Sequence, residues 1–132
     1  MTIVFATNGP IQPREAIDLL HEGAFTRPMD DESRVQRMFD NGSFVITARD
    51  EGRLVGFTRG ITDFAYQCLI AEVVVAKTHK GTGIGKEMLR LAREEAGPEV
   101  NLILNSSAEG HAFYEHLGWE PVPRAWRTPR FH

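Results

Sequence analysis

A basic, glycine-rich loop at residues 80–86 (KGTGIGK) is the stretch of this chain that points most directly to chemistry. It follows the apolar run 73–76 (VVVA) and precedes a helical pattern that begins near Ile84. Glycines let the backbone approach an anion closely, and the start of a helix offers free N–H groups and the positive end of its dipole. Lys80 and Lys86 add positive charge. We therefore predict that the loop binds a phosphate-bearing ligand.

Two common phosphate-binding loops do not fit this spacing. A Walker A loop requires GxxxxGK followed by Ser or Thr. Here Lys80 stands at the first glycine position and Glu87 follows Lys86. A dinucleotide loop requires GxGxxG within a series of parallel β-α units. Gly81 and Gly83 match it, but Lys86 replaces the third glycine and no such series surrounds the loop. The motif therefore fits neither class of loop.

A second segment, 112–119 (AFYEHLGW), completes a pair of motifs with the loop. The loop resembles the Arg/Gln-x-x-Gly-x-Gly/Ala motif of the GNAT superfamily of N-acetyltransferases, and segment 112–119 is similar to the family's a-x-x-F-Y-x-x-x-G-F motif. The resemblance is strong over residues 69–121. It implies an α+β fold in which a mixed, mostly antiparallel sheet is flanked by helices, with a β-α-β core that binds acetyl-coenzyme A (acetyl-CoA).

The resemblance also implies which residues hold acetyl-CoA. The main chain of Val73 and Val75 would pair with pantetheine, in a gap between this strand and the next. Ser107 and Gly110 stand where the family has Asn-x-x-Ala, so Asn105 is a candidate replacement contact. The alternative is that Asn105 only ends a strand or forms a turn. The predicted pyrophosphate contacts are Lys80, Gly81, Thr82, Gly83, Ile84, Gly85 and Lys86.

Tyr114 is the catalytic acid that the resemblance implies, because it matches the tyrosine of the family's second motif. A phenol with a pKa near 10 stays protonated at neutral pH and is able to donate its proton to the leaving thiolate of coenzyme A. On the last predicted helix it lies at the edge of the apolar face, where a hydroxyl can point into a cleft. The alternative is a packing tyrosine with its hydroxyl at the surface.

Glu72 is the first candidate for the general base, since it lies in an apolar strand in phase with Ile70 and Val74. Burial raises the pKa of a carboxyl group towards the range of a useful base. The alternative is a strand-edge glutamate in a salt bridge. His79, His111 and water are further candidates for the base. The histidines show no metal-ligand spacing with carboxylates or the cysteine, so we expect no metal.

Composition limits the partners and the location of the protein. The chain has 132 residues and a net charge of −3, which predicts one domain spanning residues 1–132 and gives no reason to expect a nucleic-acid partner. No apolar stretch approaches the ~18 residues of a membrane span, and no secretory signal is visible, so we expect a cytoplasmic location. The single cysteine, Cys68, is predicted to be a buried, reduced thiol.

The element pattern places these residues in a mixed sheet. Strand 66–76 is nearly all apolar at its centre, which predicts cover on both of its faces. The strand at 100–104 must run parallel to it, because a helix from Ile84 to about Gly97 connects the two. The other predicted elements are a strand at 2–7, helices near 13–21 and 31–41, a hairpin over 43–62, a helix at 108–117 and closing strands at 119–122 and 125–131.

We therefore expect an acetyltransferase that moves an acetyl group directly from acetyl-CoA to a primary amine of a small molecule, peptide or protein. The alternatives are a non-catalytic module of the same fold that senses coenzyme A, and a catalyst for a longer acyl group; the presence of Tyr114 favours catalysis. The sequence does not identify the acceptor. Arg124, Arg127 and Arg130 alternate with aromatic residues in the tail, which fits an acidic substrate, a homodimer contact or a plain edge strand.

Overall fold

The computed structural model describes residues 2–23, 25 and 27–132, and its centre is a five-stranded sheet in the order β1-β2-β3-β4-β5. The strands are β1 (Ile3–Thr7), β2 (Phe44–Asp50), β3 (Arg53–Thr62), β4 (Gln67–Val75) and β5 (Asn101–Ile103). The first four pair antiparallel in chain order, and β5 lies parallel to β4. This arrangement confirms the predicted α+β class with a mixed, mostly antiparallel sheet.

The helices begin where the sequence provides start signals. Pro13 opens the first helix, and Asp31 caps the second by accepting N–H groups from Ser33 and Arg34. Gly83, with φ of 87°, stands at the N-cap of the third. In the described residues, no helix combines the length and the apolar character that crossing a membrane requires. The helices are α1 (Pro13–Leu20), α2 (Glu32–Asp40), α3 (Ile84–Ala96) and α4 (His111–His116), with a 3-10 turn at Lys77–His79.

The hairpin between β2 and β3 confirms the prediction for this region. Glu51 and Gly52 form its two-residue loop with φ of 49° and 83°. Two successive positive φ values are typical of a type I′ turn, whose twist matches that of paired strands. The turn fixes the register that places Asp50 opposite Arg53. It also fixes the position of Asp50 at the end of β2, beside the start of the functional site described below.

Strand β3 is the centre of the core, since residues 54–60 are all buried. Helix α3 packs against β3 and β2, and α1 packs against β3 and β4. Gly56 makes close packing of α3 possible, because a Cβ atom there would lie 3.2 Å from Ile84 Cγ2 and 3.3 Å from Met88 Cε. Ile84 and Met88 belong to the first two turns of α3, so this contact fixes the start of the helix against the sheet.

Burial on β4 corrects one prediction. Its residues alternate between buried and more exposed, so the expectation that both faces are covered was wrong. Cys68, Ile70 and Val74 are buried, as expected for the thiol, but Leu69 is 42% exposed and Val73 is half-buried. Burial follows the two-residue period of a strand, so one face of β4 lies in the core and the other face is only partly covered.

The C-terminal segment corrects a second prediction. No strand forms at 119–122 or 125–131, and Trp126 and Phe131 are 96% and 98% exposed. Alternating apolar and charged residues favour a strand only where a partner edge and a core face receive them. This segment pairs with no described strand, and of its aromatic residues only Trp119 packs against the core. The last helix is also shorter than the predicted 108–117, because a turn at 108–110 precedes α4.

Candidate active site

The functional cleft opens where β4 and β5 separate. Their parallel pairing ends at Leu69 and Ile103, and β4 continues for six residues beyond it, to Val75. The resulting cleft has a volume of about 380 Å3. One wall consists of residues 71–75 of β4, the floor comes from the loop and the first turn of α3, and the second wall comes from residues after β5 and from α4. All of the predicted site residues except Thr82 and His111 therefore border one cavity.

On the open edge of β4, no strand among the described residues pairs with the main chain of Val73 and Val75. The N–H of Ala76 donates to Val55 O at 2.8 Å, so Ala76 faces β3. Main-chain groups of successive strand residues point to opposite edges, and the register from Glu72 to Val75 is unbroken. The N–H and C=O groups of Val73 and Val75 consequently face the cleft, which is the arrangement that strand-like pairing with an extended ligand requires.

The glycine loop forms an open cradle. Gly81 and Gly83 have φ of 76° and 87°, and no heavy atom of residues 2–23, 25 and 27–132 lies within 4 Å of a Cβ built at either position. These positive φ values favour glycine, and the empty space lets a ligand reach the main chain. Lys80 and Lys86 border the same cleft and are exposed. The cradle thus combines approachable N–H groups with two positive charges, as a phosphate group requires.

The start of α3 faces this cradle. The first intrahelical bond runs from Glu87 N–H to Gly83 O, so the preceding N–H groups of Ile84, Gly85 and Lys86 have no partner within the helix. Gly85 is closed on its other side: a Cβ atom there would lie 3.3 Å from Phe113 Cζ. Thr82 differs from the prediction, because its hydroxyl bonds to His79 O and its side chain does not border the cleft.

Tyr114 lies on the second wall of the cleft. Its ring packs against Phe113 and Trp119, with centroid distances of 5.0 and 5.6 Å. Burial raises the pKa of the Tyr114 phenol above its ordinary value. The hydroxyl group therefore stays protonated throughout the neutral range and keeps a proton to donate. Tyr114 therefore packs in a small aromatic cluster, as a structural tyrosine would, and it also borders the cleft, as a catalytic acid must.

Glu72 forms a salt bridge, which is the alternative to its predicted role as the general base. Arg59 Nε lies 3.0 Å from Glu72 Oε1 and Arg59 Nη2 lies 3.2 Å from Oε2, and Arg27 Nη2 is 3.6 Å from Oε1. Although Glu72 belongs to the cleft wall, its side chain is 0% exposed. A general base must reach the proton that it removes, directly or through one water. The ion pair and the complete burial therefore do not support the predicted role of Glu72 as the base.

The two histidine candidates differ in position: His79 borders the cleft, and His111 does not. His79 is buried, with Nε2 2.8 Å from Asp50 Oδ2 and Nδ1 2.8 Å from Thr78 Oγ1. Both ring nitrogens are engaged, so His79 offers neither of them to a substrate. The side chain of His111 is 67% exposed, and His111 is not among the residues that border the cleft. Neither histidine is placed as a base for chemistry in the cleft.

Several cleft residues had no distinct signal in the sequence. Asn105, which was predicted, borders the cleft together with Ser106 and Ser107. In the sequence, the two serines were marked only by their place in a polar run directly after a short apolar strand. Phe25 borders the opposite end and comes from the segment between α1 and α2, far away in the chain. Its contribution depends on tertiary packing, which local patterns do not report.

Comparison with known proteins decides the family. The family model described as an acetyltransferase (GNAT) domain matches residues 41–121. The chain belongs to the GNAT acetyltransferase family. It is similar to Probable acetyltransferase TAP2 of Glycine max, with 25% identity over 134 residues. The match covers 92% of this chain and 53% of that protein. The chain therefore spans about half the length of this relative.

Solved structures agree with the GNAT assignment at the level of fold. A probable acetyltransferase from meticillin-resistant Staphylococcus aureus superposes with a TM-score of 0.84 at 17% identity, over 99% of this chain and 100% of that one. An aminoglycoside N-acetyltransferase in complex with CoA gives a TM-score of 0.74 at 12% identity, over 99% and 96%. At these identities, the likeness concerns the arrangement of the GNAT sheet and helices alone.

Proposed function

We propose that this GNAT protein is an acetyl-CoA-dependent N-acetyltransferase that acts by direct transfer on a primary amine of a small molecule, peptide or protein. The observation that carries the proposal is the cleft between the separated ends of β4 and β5. Its open strand edge, glycine cradle and helix start follow one another along a single cavity. This order matches the chemistry of coenzyme A, whose extended pantetheine arm leads to a pyrophosphate.

Each part of the ligand has a candidate partner. The main chain of Val73 and Val75 would accept the amide groups of pantetheine as an added strand. The N–H groups at residues 81–86 would bind the pyrophosphate, with Lys80 and Lys86 as counter-charges. Asn105 is a further candidate polar contact on the second wall. The related fold of an aminoglycoside N-acetyltransferase in complex with CoA supports this choice of ligand.

The acetyl transfer would take place between the two walls of the cleft. The neutral amine attacks the thioester carbonyl, a C–N bond forms, and the C–S bond breaks as the thiolate leaves. Tyr114 would supply the proton that the thiolate takes up, because its phenol borders the cleft and is protonated at neutral pH. Glu72 and His79 are engaged, and His111 does not border the cleft, so the proton lost by the amine would pass to water in the open cleft. Water would in turn return a proton to the Tyr114 phenolate, which balances the transfer.

A release assay tests this function. The chain is mixed with acetyl-CoA and a broad panel of primary amines, including amino sugars, polyamines and peptides, and free thiol is measured over time. The proposal predicts amine-dependent thiol release for at least one class of acceptor. Tight binding of acetyl-CoA with no turnover on any amine would instead support a module that senses coenzyme A. Release only with longer acyl donors would change the assignment of the acyl group.

A further inference from the structure

The loop between β4 and α3 is held from two sides by carboxylates of distant elements. On one side, Glu22 Oε1 accepts the N–H of Lys77 at 2.8 Å. On the other side, Asp50 Oδ2 lies 2.8 Å from Nε2 of His79. Glu22 follows α1, and Asp50 ends β2 at the hairpin. Both contacts fix the first residues of the loop, before the glycines begin.

The His79 ring transmits the contact from Asp50 into the loop. The carboxylate of Asp50 accepts a hydrogen bond, so Nε2 carries the proton and, in the neutral ring, Nδ1 accepts from the hydroxyl of Thr78 at 2.8 Å. His79 is only 8% exposed, and its N–H donates to Ala76 O at 2.9 Å. The residue is therefore fixed through both its side chain and its main chain.

The main chain of His79 continues the connection to the glycines. Its carbonyl oxygen accepts the hydroxyl of Thr82, which stands between Gly81 and Gly83. In the part of the chain that the structure describes, a Cβ atom added to either glycine would meet no heavy atom within 4 Å, so side-chain packing there does not hold these two residues. Without an external restraint, a glycine-rich turn loses much conformational entropy when a ligand fixes it. The chain Asp50–His79–Thr82 supplies such a restraint.

We infer that His79, held by Asp50, is a positioning residue that preorganises the glycine loop for the pyrophosphate of coenzyme A. The inference rests on the proposed function, because it assumes that this loop binds that ligand. Asp50 acts through His79, and preorganisation improves affinity by reducing the entropy that is lost on binding. The pair therefore serves cofactor binding and takes no part in proton transfer at the reacting carbonyl.

The decisive experiment is titration calorimetry with coenzyme A on the unaltered chain and on matched variants. Asp50→Ala removes the acceptor of His79 and should weaken binding about tenfold, the loss expected for one hydrogen bond to a charged group. Asp50→Asn retains an acceptor and should recover most of the affinity. Glu51→Gln removes the same charge from the adjacent exposed position, which does not contact His79, and should bind as the unaltered chain does.

A double-mutant cycle separates positioning from general damage. In a His79→Ala background, adding Asp50→Ala should cause no further loss of affinity, because Asp50 acts through the ring. Hydrogen exchange at residues 78–86 should accelerate in Asp50→Ala while the melting temperature changes little. Should Asp50→Ala fail to fold, Thr82→Val tests the other end of the connection and should also weaken binding of coenzyme A.

The outcomes distinguish this inference from the proposed function. If the unaltered chain does not bind coenzyme A, both are overturned. If it binds, but Asp50→Ala or Thr82→Val binds equally well, the positioning role alone is overturned. Equal losses in Asp50→Ala and Glu51→Gln would likewise overturn it, because they would show a general effect of charge.

Discussion

Arg59 binds both carboxylate oxygens of Glu72, at 3.0 and 3.2 Å, in a part of the sheet where Arg59 is 6% exposed. The pair joins β3 to β4 at the wall of the cleft that Glu72 borders. Glu72 therefore stabilises the strands that form the cleft wall. Its presence in an apolar strand is explained by the arginine opposite, which the register of the two strands places as its partner.

Removal of Glu72 should cost stability. Glu72→Ala leaves the buried guanidinium of Arg59 without its carboxylate, and breaking a buried pair from one side costs about 3–5 kcal/mol of the free energy of unfolding. Urea denaturation measures this loss. Glu87→Ala is the control, since its pair with Arg90 lies at the surface and should matter little. A large loss of turnover in Glu72→Ala with unchanged stability would restore Glu72 as the base.

Loss of the Tyr114 hydroxyl should reduce turnover and spare binding. Tyr114→Phe keeps the ring packing against Trp119 but removes the proton donor, and general acids contribute roughly 100-fold or more to rate. The expected result is a kcat lowered about 100-fold with an unchanged Kd for acetyl-CoA. Tyr66→Phe is the matched control, because Tyr66 is 75% exposed and does not border the cleft. Equal turnover in the two variants would remove Tyr114 as the acid.

The dependence of turnover on pH provides a second test of Tyr114. Burial raises the pKa of its phenol above the ordinary value of 10.0, so the protonated, donating form persists through neutral and mildly alkaline pH. Loss of kcat through deprotonation of Tyr114 should therefore begin only above about pH 10. The measurement is a kcat profile at saturating substrates, compared with that of Tyr114→Phe. An alkaline limb below about pH 9 that disappears in Tyr114→Phe would contradict this assignment.

A negative charge in the glycine cradle should abolish coenzyme A binding. Gly83→Asp places a carboxylate in the open space at the start of α3, where it would occupy the position of the pyrophosphate and repel it. Calorimetry should detect no binding. Gly52→Asp is the control, because Gly52 has a similar φ of 83°, also lacks close neighbours and lies in the hairpin turn. Normal affinity in Gly83→Asp would show that the pyrophosphate lies elsewhere.

The thiol of Cys68 should be unreactive in the folded protein. The thiol is 1% exposed, and burial raises its pKa, so little reactive thiolate forms. A colorimetric thiol reagent should therefore detect almost no thiol before denaturation and one per chain after it. Rapid reaction in the native state would contradict the burial of this residue. The silent cysteine also gives thiol-release assays a low background.

Local patterns were sufficient to predict the elements that form the candidate cofactor site. Residues close together in the chain determine three of these elements, so their positions could be predicted from the sequence. They are the glycine loop, the helix after it and the parallel strand at 101–103. The hairpin was also predictable, because Glu51 and Gly52 supply the positive φ values that its turn needs. The order of these elements was enough to place the loop at the open end of β4.

Contacts between distant segments could not be predicted in this way. Arg59 lies opposite Glu72 only after a bulge next to it sets the register of β3 and β4. Asp50 and His79 are 29 residues apart and meet because the hairpin turns back beside the loop. The closing strands at 119–122 and 125–131 failed for the opposite reason: their alternation was local, but no partner edge receives them. In each case, the structure depends on pairing between segments that are distant in the chain, and the periodicity of one segment does not report that pairing.

The most direct test of the cleft as an acetyl-CoA site is a series of melting curves for the unaltered chain with increasing acetyl-CoA. A ligand that binds the folded state raises the melting temperature with its concentration. We predict such a rise for the unaltered chain and for Gly52→Asp, and no rise for Gly83→Asp. An unaltered chain that melts at the same temperature with and without saturating acetyl-CoA would contradict the assignment of the cleft.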